Sequence, residues 1–147
     1  MYDIWRMQAV NDLQTLNAKR ESLVNIPEQI AELEARSTAI RSATADGTPV
    51  KGGGSGRENM LLNNITERDR LQDALDQAKK DVEKIERALS VLTDVERRIL
   101  QVRFIDRDPG AVAKLSRELN LDERTVRNRQ ADALLQFGTA MRGPKKS

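Results

Sequence analysis

The hydrophobic positions between residues 71 and 92 recur at alternating steps of four and three. They are Leu71, Leu75, Ala78, Val82, Ile85, Leu89 and Leu92. This heptad period lines one face of a helix, and the face needs a partner helix because exposed apolar surface is unfavourable by about 25 cal/mol per Å2. The pattern predicts a long helix from Arg57 to Leu92.

A second apolar stripe runs through the first part of the chain. Its members are Trp5, Val10, Leu13, Leu16, Leu23, Val24, Ile30, Leu33 and Ile40. Their spacing is typical of one helix face and predicts a helix from Asp3 to about Arg41. Pro27 lacks an amide hydrogen and clashes with the preceding turn, so we expect a kink or a restart near Asn25 or Ile26.

Residues 42–56 separate the two stripes and contain five glycines. This composition predicts a flexible linker, and it lacks the spacing of a phosphate-binding loop. A linker of this kind lets the two helices fold back as an antiparallel coiled coil, so residues 1–92 are expected to form a long helical hairpin. A second copy of the chain is the competing partner for the heptad seam, and both pairings can hold at once.

Start and stop signals follow the hairpin. Residues 93–96, Thr-Asp-Val-Glu, match a capping box, in which Thr93 caps the new helix and Glu96 reaches back. Residues 108–110, Asp-Pro-Gly, are expected to end that helix and begin another, with Asp108 as the N-cap and Pro109 in the first turn. Residues 142–147 are basic and predict a disordered tail.

Residues 111–137 have the pattern of two short helices joined by a tight corner. Ser116 is a small residue where the helices must cross, Asn120 tolerates the left-handed conformation that a corner needs, and Asp122 is an N-cap for the second helix. The apolar face comprises Leu115, Leu119, Leu121, Val126, Leu134 and Phe137. The pattern predicts a helix-turn-helix domain over residues 93–141.

Composition supports an all-α protein and excludes several chemistries. Charged residues make up 33% and aromatic residues 3%, which is typical of long helices with polar surfaces. The chain has no Cys and no His, so thiol nucleophiles, imidazole bases and the usual zinc sites are excluded. No stretch approaches the roughly 18 apolar residues of a membrane span, and the N-terminus has no signal-peptide pattern. We therefore expect a soluble, intracellular protein that is not an enzyme and has no cofactor.

Charge is distributed unevenly between the two parts of the chain. Residues 1–92 hold 13 Lys and Arg against 15 Asp and Glu, whereas residues 93–147 hold 12 against 8. The net charges are therefore −2 and +4. The helix-turn-helix segment therefore has an excess of basic residues, as contact with DNA phosphates requires.

Residues 95–137 also resemble a known family, region 4 of the sigma-70 class of sigma factors, which binds promoter elements. The matching segments are residues 96–104 (ERRILQVRF), 114–128 (KLSRELNLDERTVRN) and 131–137 (ADALLQF). Ser116 stands where Ala is usual and Asn120 where Gly is usual. The whole chain is similar in pattern to small phage and prophage proteins that join a coiled coil to such a module.

The resemblance and helix geometry together single out the residues for DNA recognition. The expected base readers are Glu123, Arg124, Arg127 and Asn128. The expected phosphate contacts are Lys114, Arg117, Thr125, Arg129 and Arg103. Arg can donate two hydrogen bonds to guanine, Asn can pair with adenine and Glu can accept a hydrogen bond from cytosine. Phosphate contacts, in contrast, position the protein without specifying a sequence.

These features predict a phage-type transcriptional regulator that binds double-stranded promoter DNA in the cytoplasm of a bacterial host. The resemblance implies RNA polymerase as a partner, and the coiled coil offers a route to a homo-oligomer. No aromatic-rich promoter-melting segment precedes the module, which favours a protein that assists or redirects polymerase. Two alternatives stay open: a DNA-recognition subunit of a packaging machine, similar to a small terminase, and a coiled-coil interaction module without DNA binding.

Overall fold

A computed structural model describes residues 3–45 and 54–144, and within these ranges the chain is helical with no β-strand. Five helices follow one another: α1 (Ile4–Ala45), α2 (Gly54–Ser90), α3 (Asp94–Leu100), α4 (Ala111–Leu119) and α5 (Glu123–Arg142). A π-helical segment, Gln101–Ile105, extends α3. The predicted all-α class is therefore confirmed. None of the helices in the described ranges is both long and apolar enough to span a membrane.

The chain divides into two compact units. The terminal unit comprises residues up to Lys19 and from Lys80 onward, and the middle unit comprises residues 20–79. This division does not coincide with the predicted boundary at residue 92. The first turns of α1 and the last turns of α2 belong with the C-terminal helices, because their apolar residues help to form the same core.

The core of the terminal unit draws on all five helices. Ala9, Leu13 and Leu16 of α1 are completely buried. The other buried apolar residues of this unit are Val82, Ile85, Ala88, Leu89, Leu92, Ile99, Leu100, Val102, Phe104, Ile105, Ala111, Leu115, Val126, Ala133, Leu134 and Phe137. Burial of this many apolar side chains is the main stabilising term for the unit.

The first helix makes one especially close contact in this unit, between the indole of Trp5 and the backbone of α5 at Gly138. A β-carbon built on Gly138 would lie 2.3 Å from the nearest ring carbon of Trp5. Only glycine leaves room for the ring at this position. The single Trp of the chain therefore packs against α5, and its side chain is partly buried.

Three polar contacts also fasten α1 within the terminal unit. The Asn17 side chain donates a hydrogen bond to the Ile105 carbonyl at 3.3 Å, and the Arg107 guanidinium donates to the carbonyl of Gln14 at 3.2 Å. Arg142, in the last turn of α5, forms an ion pair with Asp12. The sequence predicts a disordered tail from Arg142 onward, but Arg142 is helical and paired. Gly143 and Pro144 follow α5, and residues 145–147 lie outside the described residues.

The start of α3 agrees with the sequence pattern, whereas the start of α4 does not. The Thr93 hydroxyl accepts from the Glu96 amide and the Glu96 carboxylate accepts from the Thr93 amide, which confirms the capping box. Asp108, however, is not the N-cap of α4. That helix begins after Gly110, and the Asp108 carboxylate instead accepts from the Gly110 amide at 3.0 Å. Before this turn the chain forms the π-helical extension, and Arg107 then adopts a left-handed conformation with φ 54°.

The middle unit contains the second part of α1 and the first part of α2. Its buried apolar residues are Leu33, Leu71, Leu75 and Ala78, and the Asn64 amide donates to the Ser37 hydroxyl at 3.3 Å. Together with Val82, Ile85, Leu89 and Leu92 in the terminal unit, all seven predicted heptad positions are buried.

Two expectations about helix ends in α1 and α2 are corrected. The helix α1 does not restart before Pro27 but continues through it to Ala45. One proline removes a single amide donor, and the turns on both sides keep their own hydrogen bonds. Residues 42–45 and 54–56 of the predicted linker are helical, so α1 and α2 extend into it. The rest of the predicted linker, residues 46–53, lies outside the described residues.

Candidate nucleic-acid interface

The corner between α4 and α5 is built by a left-handed asparagine. Asn120 has φ 56° and ψ 44°, and its amide donates to the carbonyl of Ser116. The same carbonyl accepts from the Leu121 amide at 3.1 Å, and the Ser116 hydroxyl donates to the Leu121 carbonyl. The predicted left-handed Asn120 is confirmed. The sequence pattern singles out Ser116 for its small size, and in the structure its hydroxyl also closes the turn.

The N-terminus of α5 is capped by Asp122, as the sequence predicts. The Asp122 carboxylate accepts from the Thr125 amide at 2.7 Å. Hydrogen bonds from the side chain and the backbone of Thr125 hold the pKa of Asp122 below its usual range. The ionised carboxylate caps the free amides at the start of α5 and is favoured there by the helix dipole.

The corner is anchored by an apolar cluster under both helices. Val126 and Leu115 are completely buried, and the cluster also includes Ile99, Val102 and Ala111. Leu119 and Leu121 are partly buried against it. Because Val126 is buried, α5 must turn the opposite side of its first two turns outward.

All four expected base readers are exposed, and Arg124 and Asn128 lie on the side of α5 opposite Val126. Arg124 and Asn128 are four residues apart, so their side chains are neighbours along one row of the helix. Glu123 and Arg127 form the adjacent row, and they are joined by an ion pair of 3.8 Å. Both partners are more than half exposed, and such pairs contribute little to stability, so the pair can open for a ligand at small cost.

The five expected phosphate contacts are distributed over three segments. Arg117 in α4 and Arg129 in α5 are exposed, whereas Thr125 is partly buried beside the Asp122 cap. Lys114 forms an ion pair with Asp108 at 3.2 Å. Arg103, in the π-helical segment, is exposed with its guanidinium carbon 5.5 Å from the centre of the Phe104 ring.

Arg103 also shares a cavity of about 270 Å3 with the start of α4. The cavity is lined by Pro109, Gly110 and the first three residues of α4, and no side chain caps this helix. Amides at an uncapped helix start carry partial positive charge. The Asp108 carboxylate accepts from the Gly110 amide at the same helix start and offsets this charge, so Arg103 is the predicted phosphate contact at the cavity.

Two arginines of α3 connect this helix to its neighbours through contacts that the sequence pattern does not predict. Arg98 of α3 forms a bidentate pair with Glu118 of α4, with both hydrogen bonds at 2.8 Å. Arg97 donates to the carbonyls of Leu89 and Leu92 and thereby ties the end of α2 to α3. Their partners are unpredictable from spacing alone, since Arg98 and Glu118 are 20 residues apart.

Replacing Asn120 with alanine is expected to lower the free energy of unfolding by about 1 kcal/mol, because a β-carbon without a local hydrogen-bonding group is unfavourable in the left-handed region. Replacement with glycine is expected to leave it within about 0.5 kcal/mol of the wild type or to raise it. Urea denaturation followed by circular dichroism measures both. Arg117→Ala, on the exposed side of α4, is the control and should change stability by less than about 0.5 kcal/mol. Equal destabilisation by alanine and glycine would contradict the assignment of the corner.

Within the described residues, no group of three or more Asp or Glu side chains is arranged to hold a metal ion. Comparison with protein-family models, with curated proteins and with solved structures finds no match for this chain. The candidate interface is therefore described by its own geometry: an exposed row of Arg124 and Asn128, an adjacent Glu123–Arg127 pair, and cations on the flanking elements.

Proposed function

We propose that this protein is a sequence-specific regulator that binds double-stranded DNA through a helix-turn-helix formed by α4 and α5. The observation that carries the proposal is the α4–α5 corner. Left-handed Asn120, the Asp122 cap and buried Val126 together hold the first two turns of α5 with Arg124 and Asn128 outward. A recognition helix reads bases from the residues of its N-terminal turns, and Arg and Asn are the side chains suited to guanine and adenine.

Charge and resemblance support the same function. The net charge of +4 over residues 93–147 lies with these helices, as a phosphate-binding surface requires. The resemblance of residues 95–137 to region 4 of the sigma-70 class favours promoter DNA as the target and RNA polymerase as a partner. The similarity in pattern of the whole chain to small phage and prophage proteins favours a phage or prophage origin and action in the bacterial cytoplasm.

The two long helices, α1 and α2, form most of the rest of the chain. We propose that α1 and α2 pair as an antiparallel coiled-coil hairpin that precedes the DNA-binding helices. The Lys19–Asp81 ion pair, at 3.6 Å, and the Ser37–Asn64 hydrogen bond support pairing within one chain. The buried heptad seam supports the same pairing, because a seam filled from within the chain has no need of a second copy.

The test is selection of bound sequences from random double-stranded DNA, followed by titration of the best sequence at several salt concentrations. We expect one enriched motif and an affinity that falls linearly on a log–log plot against salt, because bound phosphates release counterions. Absence of enrichment together with salt-independent affinity would overturn the proposal and favour a coiled-coil interaction module. Solution mass measured on the same sample separates the remaining alternative, since a ring above a dimer would favour a packaging subunit.

A further inference from the structure

The helix α4 carries one carboxylate among the predicted phosphate contacts. Lys114 and Arg117 are exposed on this helix, and Glu118 is its single acidic residue. Glu118 directly follows Arg117 in the chain and lies one turn from Lys114, so the side chains of Lys114 and Glu118 are neighbours on the helix surface. An unpaired carboxylate at this position would repel the phosphates that the two cations are expected to bind.

Arg98 of α3 pairs with this carboxylate. Its Nε donates to Oε2 of Glu118 and its Nη2 donates to Oε1, each at 2.8 Å. Such a bidentate pair is stronger than a single hydrogen bond between charged groups. The hydrogen bonds from Arg98 hold the pKa of Glu118 below its usual range, and the positive charge of Lys114 lowers it as well. Glu118 is therefore close to two cations, and Arg98 occupies both of its oxygens.

Lys114 already has an acidic partner. Its ammonium lies 3.2 Å from a carboxylate oxygen of Asp108, which it must leave in order to reach a phosphate. Because Arg98 holds Glu118, this second carboxylate competes less for the same ammonium. The side chains of Arg98 and Glu118 are 41% and 38% exposed, so their charges lie at the surface, where they act on a bound polyanion.

We propose that Arg98 is a positioning residue for DNA binding. By holding Glu118, it removes the repulsion between this carboxylate and DNA phosphates, and it keeps Glu118 from competing for Lys114. Arg98 acts through Glu118 and makes no contact with DNA itself. The inference rests on the proposed function and adds to it the means by which α3 sets the affinity of α4 for phosphates.

The two halves of the pair distinguish this role from simple helix packing. Replacing Arg98 with glutamine leaves an unpaired carboxylate on α4, whereas replacing Glu118 with glutamine leaves an unpaired cation on α3. Both variants break the same link between the two helices. If the link served packing alone, both variants would bind DNA more weakly. If Arg98 neutralises Glu118, only R98Q binds more weakly.

The test is titration of a selected duplex and of a scrambled duplex by fluorescence anisotropy at several salt concentrations. We expect R98Q to bind both duplexes about three- to fivefold more weakly at low salt, with a difference that shrinks as salt is added, because exposed charges contribute modestly and are screened. E118Q should bind at least as tightly as the wild type. The double variant R98Q/E118Q and the conservative variant R98K should stay within about twofold of the wild type, because neither leaves the carboxylate unpaired.

The matched control is R36Q in the middle unit. Arg36 pairs with Glu32 at 3.9 Å, so this variant also leaves a surface carboxylate unpaired, but it should keep both affinities within about twofold of the wild type. A loss in R36Q equal to that in R98Q would overturn the proposal. Weaker binding by E118Q would overturn it too, even if R98Q failed to fold.

Two further outcomes separate this inference from its alternatives. A double variant as weak as R98Q would overturn it, because Arg98 would then contact phosphate itself. Wild-type affinity without salt dependence would overturn the proposed function together with this inference. Salt-dependent binding by the wild type with an unchanged R98Q would overturn this inference alone.

Discussion

Replacing Gly138 with alanine is expected to lower the free energy of unfolding by about 1–3 kcal/mol, which is the usual cost of overpacking. On propensity alone the change should stabilise α5, because glycine inside a helix is less favourable than alanine by about 1 kcal/mol. The new β-carbon, however, would lie 2.3–2.9 Å from three ring atoms of Trp5, and the ring would have to leave its site. The clash therefore decides the sign. Urea denaturation followed by circular dichroism measures the change.

The same substitution in a Trp5→Leu variant tests whether the indole ring causes the loss of stability. In a Trp5→Leu variant the ring is absent, so Gly138→Ala should raise the free energy of unfolding by about 0.5–1 kcal/mol through helix propensity. The sign of the alanine substitution thus reverses between the two backgrounds. The same loss of stability with and without Trp5 would show that the indole does not pack on Gly138.

Arg124→Ala is expected to weaken binding to a selected DNA site by about 1–3 kcal/mol while changing binding to unrelated DNA much less. Arg124 is exposed in the first turn of α5, and a guanidinium can donate two hydrogen bonds to guanine. Lys114→Ala is expected to weaken binding to all sequences alike and to reduce the salt slope by about one. Its ammonium pairs with the Asp108 carboxylate, which it must leave to reach a phosphate. Titration of selected and scrambled duplexes by anisotropy measures both effects.

The control for these two variants is Arg36→Ala, which removes a cation of the same kind from the middle unit. Its affinity for both duplexes should stay within about twofold of the wild type. If all three variants bound the selected duplex as the wild type does, Arg124 and Lys114 would not belong to a DNA interface. If Arg124→Ala lowered the affinity for both duplexes equally, the residue would contact phosphate and not bases.

The structure places the start of α1 in the same compact unit as the C-terminal helices. Leu13 and Leu16 are completely buried, and Trp5 packs on Gly138 of α5. The helices that carry the candidate interface therefore complete their core with residues from the other end of the chain. Residues 93–141, predicted as a separate domain, share this core with the first turns of α1 and the last turns of α2.

Local sequence signals were sufficient to predict the structure wherever that structure depends on neighbouring residues. The capping box at Thr93 and Glu96, the left-handed Asn120 and the Asp122 cap all follow from contacts within five residues, and all three are confirmed. The seven heptad positions are buried as predicted, because a 3.5-residue period places them on one face whatever covers that face. The predicted restart before Pro27 and the predicted N-cap at Asp108 are wrong. Helix α1 continues through Pro27, and α4 begins after Gly110.

The sequence by itself determined that the described chain is helical, which faces of its helices are apolar, and where the α4–α5 corner turns. These properties depend on spacing and on side-chain chemistry over one or two turns. Only the tertiary structure decided that Gly138 receives Trp5, that Arg98 pairs with Glu118 and that Arg142 pairs with Asp12. Such contacts join residues 20 to 133 positions apart, and no periodicity specifies a partner at that distance, because the choice is made when the helices pack.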